Sequence, residues 1–265
     1  MNNQRRVEEG SRRPAGDDAR ERLPAEARVL AKSARRGTRP VGEGAAHVPQ
    51  RRAVITALAA AGIVGPILFA VAFVVQELFR RGEYSPMAEP VSALEAGPGG
   101  WVQQVDFVMF GLLTIAYAVG LHLGVRPIRA GVVGPAILAW TGVGLVLAAV
   151  FPLRGDASGV TYDPSGLHVV NGTIFFLSIG VGLIVMSRRL AGDPSWRGLA
   201  SYALVTGIAL LVMFVAFGVL VGPDDAPLHP WAGLAQRVVL AVWCPCTIVL
   251  ALRLLRVARV ADALR

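Results

Sequence analysis

The sequence predicts an all-α polytopic membrane protein: six transmembrane helices arranged as three helical hairpins, with both termini cytoplasmic. Three observations carry that expectation. Six long apolar blocks recur along the chain, and short charged loops separate them. The sign of the loop charge alternates from one loop to the next. The composition, 54% hydrophobic with 30 glycines and a mean hydropathy of +0.55, suits a helix bundle in lipid and exceeds what a soluble core needs. Six crossings of about 20 residues each use nearly half of the 265 residues, leaving one membrane domain and a tail.

The elements follow in order. Residues 1–52 hold 13 of the 26 basic and 7 of the 18 acidic residues, no aromatic residue and few aliphatic ones. Such a segment cannot build a core, so it reads as a disordered basic cytoplasmic tail. It is not a secretory signal, because the apolar stretch that follows is longer than a signal's 7–15 residues. The six spans are expected over 53–78, 105–125, 129–151, 168–187, 199–221 and 232–252, and residues 253–265 form a short basic cytoplasmic tail. The first and third spans open on similar strings, G-I-V-G-P-I-L from Gly62 to Leu68 and G-V-V-G-P-A-I-L from Gly131 to Leu138. Small residues at that spacing let helices approach closely where lipid supplies no hydrophobic drive. The third hairpin offers only Gly207 as a partial match, so duplication and convergent packing both account for the echo.

Topology comes from the positive-inside rule. Arg51 and Arg52 precede the first span, Arg126 and Arg129 fill the second loop, Arg188, Arg189 and Arg197 the fourth, and Arg253, Arg256 and Arg259 follow the sixth. The remaining loops carry Glu83, Glu89 and Glu95, then Asp156 and Asp163, then Asp224 and Asp225, against Arg80, Arg81 and Arg154. The arginine-rich segments are expected inside and the acidic ones outside. The net charge of +8 is then a topology signal and not a nucleic-acid footprint. The compartment implied is the plasma membrane.

Polar residues concentrate toward the outward ends of the spans. Gln76 and Glu77 close the first; Gln103 and Asp106 stand three apart at the entry of the second, as do His168 and Asn171 on the fourth; Gln236 and Arg237 enter the sixth. A spacing of three places each such pair on one helical face. Arg237 lies six residues past Trp231, about 9 Å along the helix axis, where a guanidinium needs an interior partner; Glu77 and Asp106 are the candidates. Three functions remain open for this cluster. It could lock the helices, or bind a membrane lipid or small amphiphilic anion in an outward pocket, or perform acid/base chemistry on a lipidic substrate with His168 or Glu77 as base. The candidate ligand-binding residues are Arg237, Gln236, His168, Asn171, Glu77, Asp106, Ser92 and Glu95. No nucleophile with an adjacent base stands out, and the sequence leaves catalysis and oligomeric state open.

Cys244-Pro245-Cys246 is similar over three residues to the copper site of metal-pumping ATPases. Nothing else of such a pump is present, and residues two apart on a helix point to nearly opposite faces. No metal and no cofactor are expected, and two thiols within one span imply no disulfide framework.

The chain also resembles a bacterial six-pass integral membrane family, the one catalogued as domain of unknown function 998. The resemblance runs from Gly62 to about Arg253 and rests on G-I-V-G-P in the first span, Tyr84-Ser85-Pro86, V-S-A-L-E-A-G-P-G-G-W over 91–101, F-V-M-F-G-L over 107–112, Phe151-Pro152, Leu167-His168 and G-L-A-Q-R-V over 233–238. The family's pattern places an acidic residue directly after Ser92; here Ala93 stands there and Glu95 follows two later. The resemblance implies fold and membrane location only. Independently, Ser92, His168, Gln236 and Arg237 in those motifs coincide with the outward polar positions, which points to one shared site with the loop 80–102 as its lid or as a plain tether.

Overall fold

The structure is a computed structural model that describes residues 41–263 apart from 129, 130, 158 and 224. Residues 1–40 of the expected disordered tail, together with Arg129 and Asp224, lie outside the described residues. Two compact units are distinguished, residues 1–49 and residues 50–265; in the first, 41–49 are helical.

The described residues contain six long helices: α1 (Val41–Phe79), α2 (Gly100–Gly124), α3 (Val133–Val150), α4 (Leu167–Ala191), α5 (Arg197–Leu220) and α6 (Ala232–Ala263). Each contains a stretch long and apolar enough to cross a membrane. Helix is the form such runs must take, since in hydrocarbon every backbone N–H and C=O needs a partner from its own segment. The bounds differ most from the sequence expectation at three places. Residues 41–52, expected as part of the disordered tail, are helical within α1. Helix α2 begins at Gly100 because Gly99, at φ +73°, turns the chain into it at a conformation that favours glycine. Helix α6 runs on through 253–263, where leucine, alanine and arginine are good helix formers and no glycine or proline interrupts them.

Consecutive helices alternate in direction, so the loops 80–99, 151–166 and 221–231 share one end of the bundle, the long-loop end, and 125–132 and 192–196 the other, the short-loop end. Two glycine crossings bring backbones together. A Cβ on Gly142 of α3 would sit 2.5 Å from the Gly111 carbonyl oxygen of α2, and one on Gly207 of α5 2.7 Å from the Gly180 oxygen of α4. The repeated strings serve similar contacts: Gly62 and Gly65 of α1 pack on α2, and Gly134 of α3 packs on Met186 of α4. In each of those hairpins the first helix seats on the second, whereas Gly207 turns back to α4.

Aromatic rings link the helices toward the long-loop end. Phe69 of α1 stacks on Phe110 of α2 at 4.7 Å, Phe110 meets Trp243 of α6 at 5.1 Å, and Trp243 meets Phe175 of α4 edge-on at 5.6 Å. At the short-loop end the buried Arg189 donates to the carbonyls of His122, Val125, Arg126 and Gly131. Above the bundle at the long-loop end lie a 3-10 turn, Val91–Ala96, and a short antiparallel ribbon, β1 (Arg154–Gly155) with β2 (Thr161–Tyr162).

Candidate functional site

The first turns of α6 are tied to the 80–99 loop by one guanidinium. Arg237 donates from Nε to Glu77 of α1 at 3.2 Å, from Nη1 to the Glu89 carbonyl at 3.0 Å and to Gly233 O at 2.8 Å, and from Nη2 to Glu77 and to the Tyr84 hydroxyl, the latter at 2.6 Å. All five N–H groups of the fork are thereby used. The Tyr84 hydroxyl lies 3.0 Å from the carbonyls of both Glu89 and Pro90, and burial, only partly offset by Arg237, pushes its pKa up to about 12. One residue earlier, Gln236 Oε1 accepts from Val91 N at 2.6 Å, and Leu234 N donates to Met87 O at 2.9 Å. The fit is tight: a Cβ on Gly233 would stand 2.3 Å from Glu89 O. The loop is therefore strapped down onto α1 and α6.

Beneath Pro90, Val91 and Ser92 of that loop lies a cavity of about 530 Å³, a volume in the range of small-molecule sites. Its walls are apolar and largely aromatic, with Phe69, Phe107, Phe175, Phe214, Phe217 and Trp243 prominent. The cavity lies where α4 and α5 separate on the long-loop side of the Gly180/Gly207 crossing. There the lining Gly172 and Gly218 have nothing within 4 Å of where a Cβ would stand. Lining Val169 is 62% exposed, so the cavity opens sideways between these helices.

Five polar side chains line it: Ser92, His168, Asn171, Thr173 and Gln236; the Thr173 hydroxyl donates to the Val169 carbonyl at 3.0 Å. Asn171 donates to the Gly144 carbonyl at 2.8 Å. His168 Nδ1 is 2.9 Å from the Phe151 carbonyl oxygen. A carbonyl only accepts, so Nδ1 carries the proton and Nε2 is left as the ring's acceptor. Behind the ring, Glu95 Oε2 stands 3.5 Å from Nδ1, with no exposed side-chain surface. Its other oxygen has no partner among the described residues. Burial raises this carboxyl's pKa to about 8, against a weak bond from Leu153 N, so it is mostly protonated at neutral pH.

The eight sequence candidates thus divide. Ser92, His168, Asn171 and Gln236 meet at the cavity; Glu95 sits directly behind His168. Arg237 and Glu77 form the strap, and Glu77, not Asp106, is the arginine's partner. Asp106 is buried on α2, one turn from Gln103, and its Oδ2 and the Gln103 amide nitrogen both lack partners among the described residues. Cys244 and Cys246 are free thiols on α6, and no cluster of three or more metal-ligating side chains occurs among the described residues. The polar-residue reading passed over the cavity's walls. Their signal is plain in the chain: all ten phenylalanines lie in, or just beyond, the half of a span nearest the long loops.

A family model described as a protein of unknown function, DUF998, matches residues 63–253. The chain belongs to the DUF998 family. The matched stretch of this DUF998 protein starts within α1 and ends within α6, so the strap and the cavity both fall inside it. No curated protein and no solved structure matches the chain.

Proposed function

We propose that this multi-pass protein binds, or helps to move, a lipid or small amphiphile at the outer leaflet of the plasma membrane, with both termini inside. The observation that carries the reading is the apolar cavity of about 530 Å³ whose lining includes five polar side chains and no carboxylate, lysine or arginine. An amphiphile's hydrocarbon fits the phenylalanine walls, and its polar head fits Ser92, His168, Asn171 and Gln236. The strap alters the role first expected for Arg237. With every N–H already engaged, the guanidinium serves the ligand indirectly, by fixing the roof under which the head sits. The outward placement rests on the loop charges.

The test is native mass spectrometry of the protein extracted with its lipids. Gly172→Leu and Gly218→Leu add bulk where the structure leaves open space, so both variants should stay folded and lose a co-purified species. Retention of the same species in both would overturn the reading.

A second reading, acid/base catalysis on a lipidic substrate, is favoured by one arrangement: a buried carboxyl behind His168 with Nε2 left for the cavity. His168→Gln should then abolish product formation from a cell-envelope lipid extract while weakening ligand retention far less. An unchanged product profile removes catalysis.

A further inference from the structure

The central cavity has a neighbour. A groove of about 500 Å³ runs between α5 and α6, lined by residues that include Met213, Leu220, Leu228, Trp231, Ala235 and Val238, none of them charged. Phe217 of α5 and Val239 of α6 line both hollows. What divides the two spaces is therefore a pair of side chains and not a helix. Both hollows also reach the same end of α5, since Gly222 and Pro223 border the cavity and Val221 borders the groove. Helix α5 is the least embedded of the six, with 22% of its most apolar stretch buried inside the protein, so this seam faces the bilayer. The roof is strapped shut by Arg237, which leaves the flank of the bundle as the way in.

Two apolar spaces of similar size, side by side and open toward lipid, match a ligand with two hydrocarbon chains. The polar side chains lining the cavity are Ser92, His168, Asn171, Thr173 and Gln236, with no carboxylate, lysine or arginine among them. This matches a small head that offers hydroxyl or ester groups and carries no charge, because an ionised head would have no counter-charge there.

We propose that the α5/α6 groove is a second hydrocarbon subsite and that the ligand is a two-chain bilayer lipid with a small uncharged head, one chain on each side of the Phe217–Val239 seam. The inference rests on the amphiphile reading above and narrows its ligand.

The test compares dioleoylglycerol with monooleoylglycerol on the full-length protein in detergent, by native mass spectrometry and equilibrium binding. The wild type should hold the two-chain probe at least about tenfold more tightly, the second chain adding packing contacts. Ala235→Phe, which fills the groove from the α6 side, should bring the two-chain probe down to the level of the single-chain one and leave the latter within about twofold. Gly218→Leu, which fills the cavity, should weaken both. If Ala235→Phe does not accumulate, Ala216→Phe fills the groove from α5 and carries the same expectation. The subsite is overturned if groove filling weakens neither probe or both equally, or if the wild type does not prefer two chains. It is also overturned if groove filling turns a dimer into a monomer by light scattering, since a second copy would then be the occupant. In each of these cases the amphiphile reading stands as long as Gly172→Leu and Gly218→Leu still strip the natural species. If those variants keep it, that reading fails as well.

Discussion

Arg189 and Arg237 are both withdrawn from solvent near opposite ends of the bundle, and the difference between their partners separates fold from function. Arg189, 3% exposed, donates to carbonyls at the end of α2 and in the loop beyond it, and lies 3.3 Å from His122 Nδ1. It takes up acceptors that a helix C-terminus leaves unpaired, and a cation there also suits the helix dipole. Its work is local. Arg237 instead joins α6 to the end of α1 and the loop that follows it, 148 to 160 residues away, through a carboxylate, a phenol and a carbonyl, besides a carbonyl of its own helix, and the loop it holds forms the cavity roof. A buried arginine that meets mostly its neighbours' backbone is a clamp; one that ties a loop over a cavity is part of a site.

The largest effect expected is at the clamp. Arg189→Leu leaves several buried carbonyls without a donor, each worth about 1–3 kcal/mol, and the variant should fail to accumulate in membranes; normal yield and normal resistance to unfolding would refute the clamp. Next is Arg237→Met, which strands the Glu77 carboxylate and should lower stability by about 3–5 kcal/mol. The double variant Arg237→Met/Glu77→Gln should recover part of that loss in a denaturant titration, and no recovery would mean the pair is not coupled. Tyr84→Phe removes one spoke of the strap and should lower stability by about 1–3 kcal/mol, while a protease that cuts near 80–99 should act faster; equal cleavage rates would count against the strap.

A separate effect is a pH slope. Burial keeps the Glu95 carboxyl protonated up to about 8, whereas in the unfolded chain it ionises near 4.5. Between those values the folded state binds the extra proton, so its stability falls as pH rises through the window. Melting curves of Glu95→Gln should lack this share of the decline, and the gap from wild type should widen from pH 5 to pH 8. Parallel curves would show that the carboxyl does not titrate in that range.

The six spans were legible because a bilayer imposes length and apolarity on every crossing, and the pairing of Arg237 with Glu77 was foreseeable because a guanidinium at that depth needs a partner. The division of the candidates was not legible. Whether Arg237 faces a ligand or a loop depends on the path of residues 80–99, and neither Gln236 holding Val91 nor Tyr84 reaching Arg237 across 153 residues follows from spacing. Arg189 was read as one loop charge among several, although it lies on α4 and turns inward. The phenylalanine distribution was in plain sight, but a search weighted toward polar chemistry passes over a site whose walls are hydrocarbon.

Under the proposed amphiphile reading, the strapped roof also sets the units in which binding is counted. A ligand admitted through the flank is supplied by the membrane, so its encounter rate follows its mole fraction among the lipids and is indifferent to how far the vesicles are diluted in buffer. A molecule abundant in the leaflet and nearly insoluble in water is then captured quickly, and one that is water-soluble but scarce in the leaflet is slow to arrive at any aqueous dose.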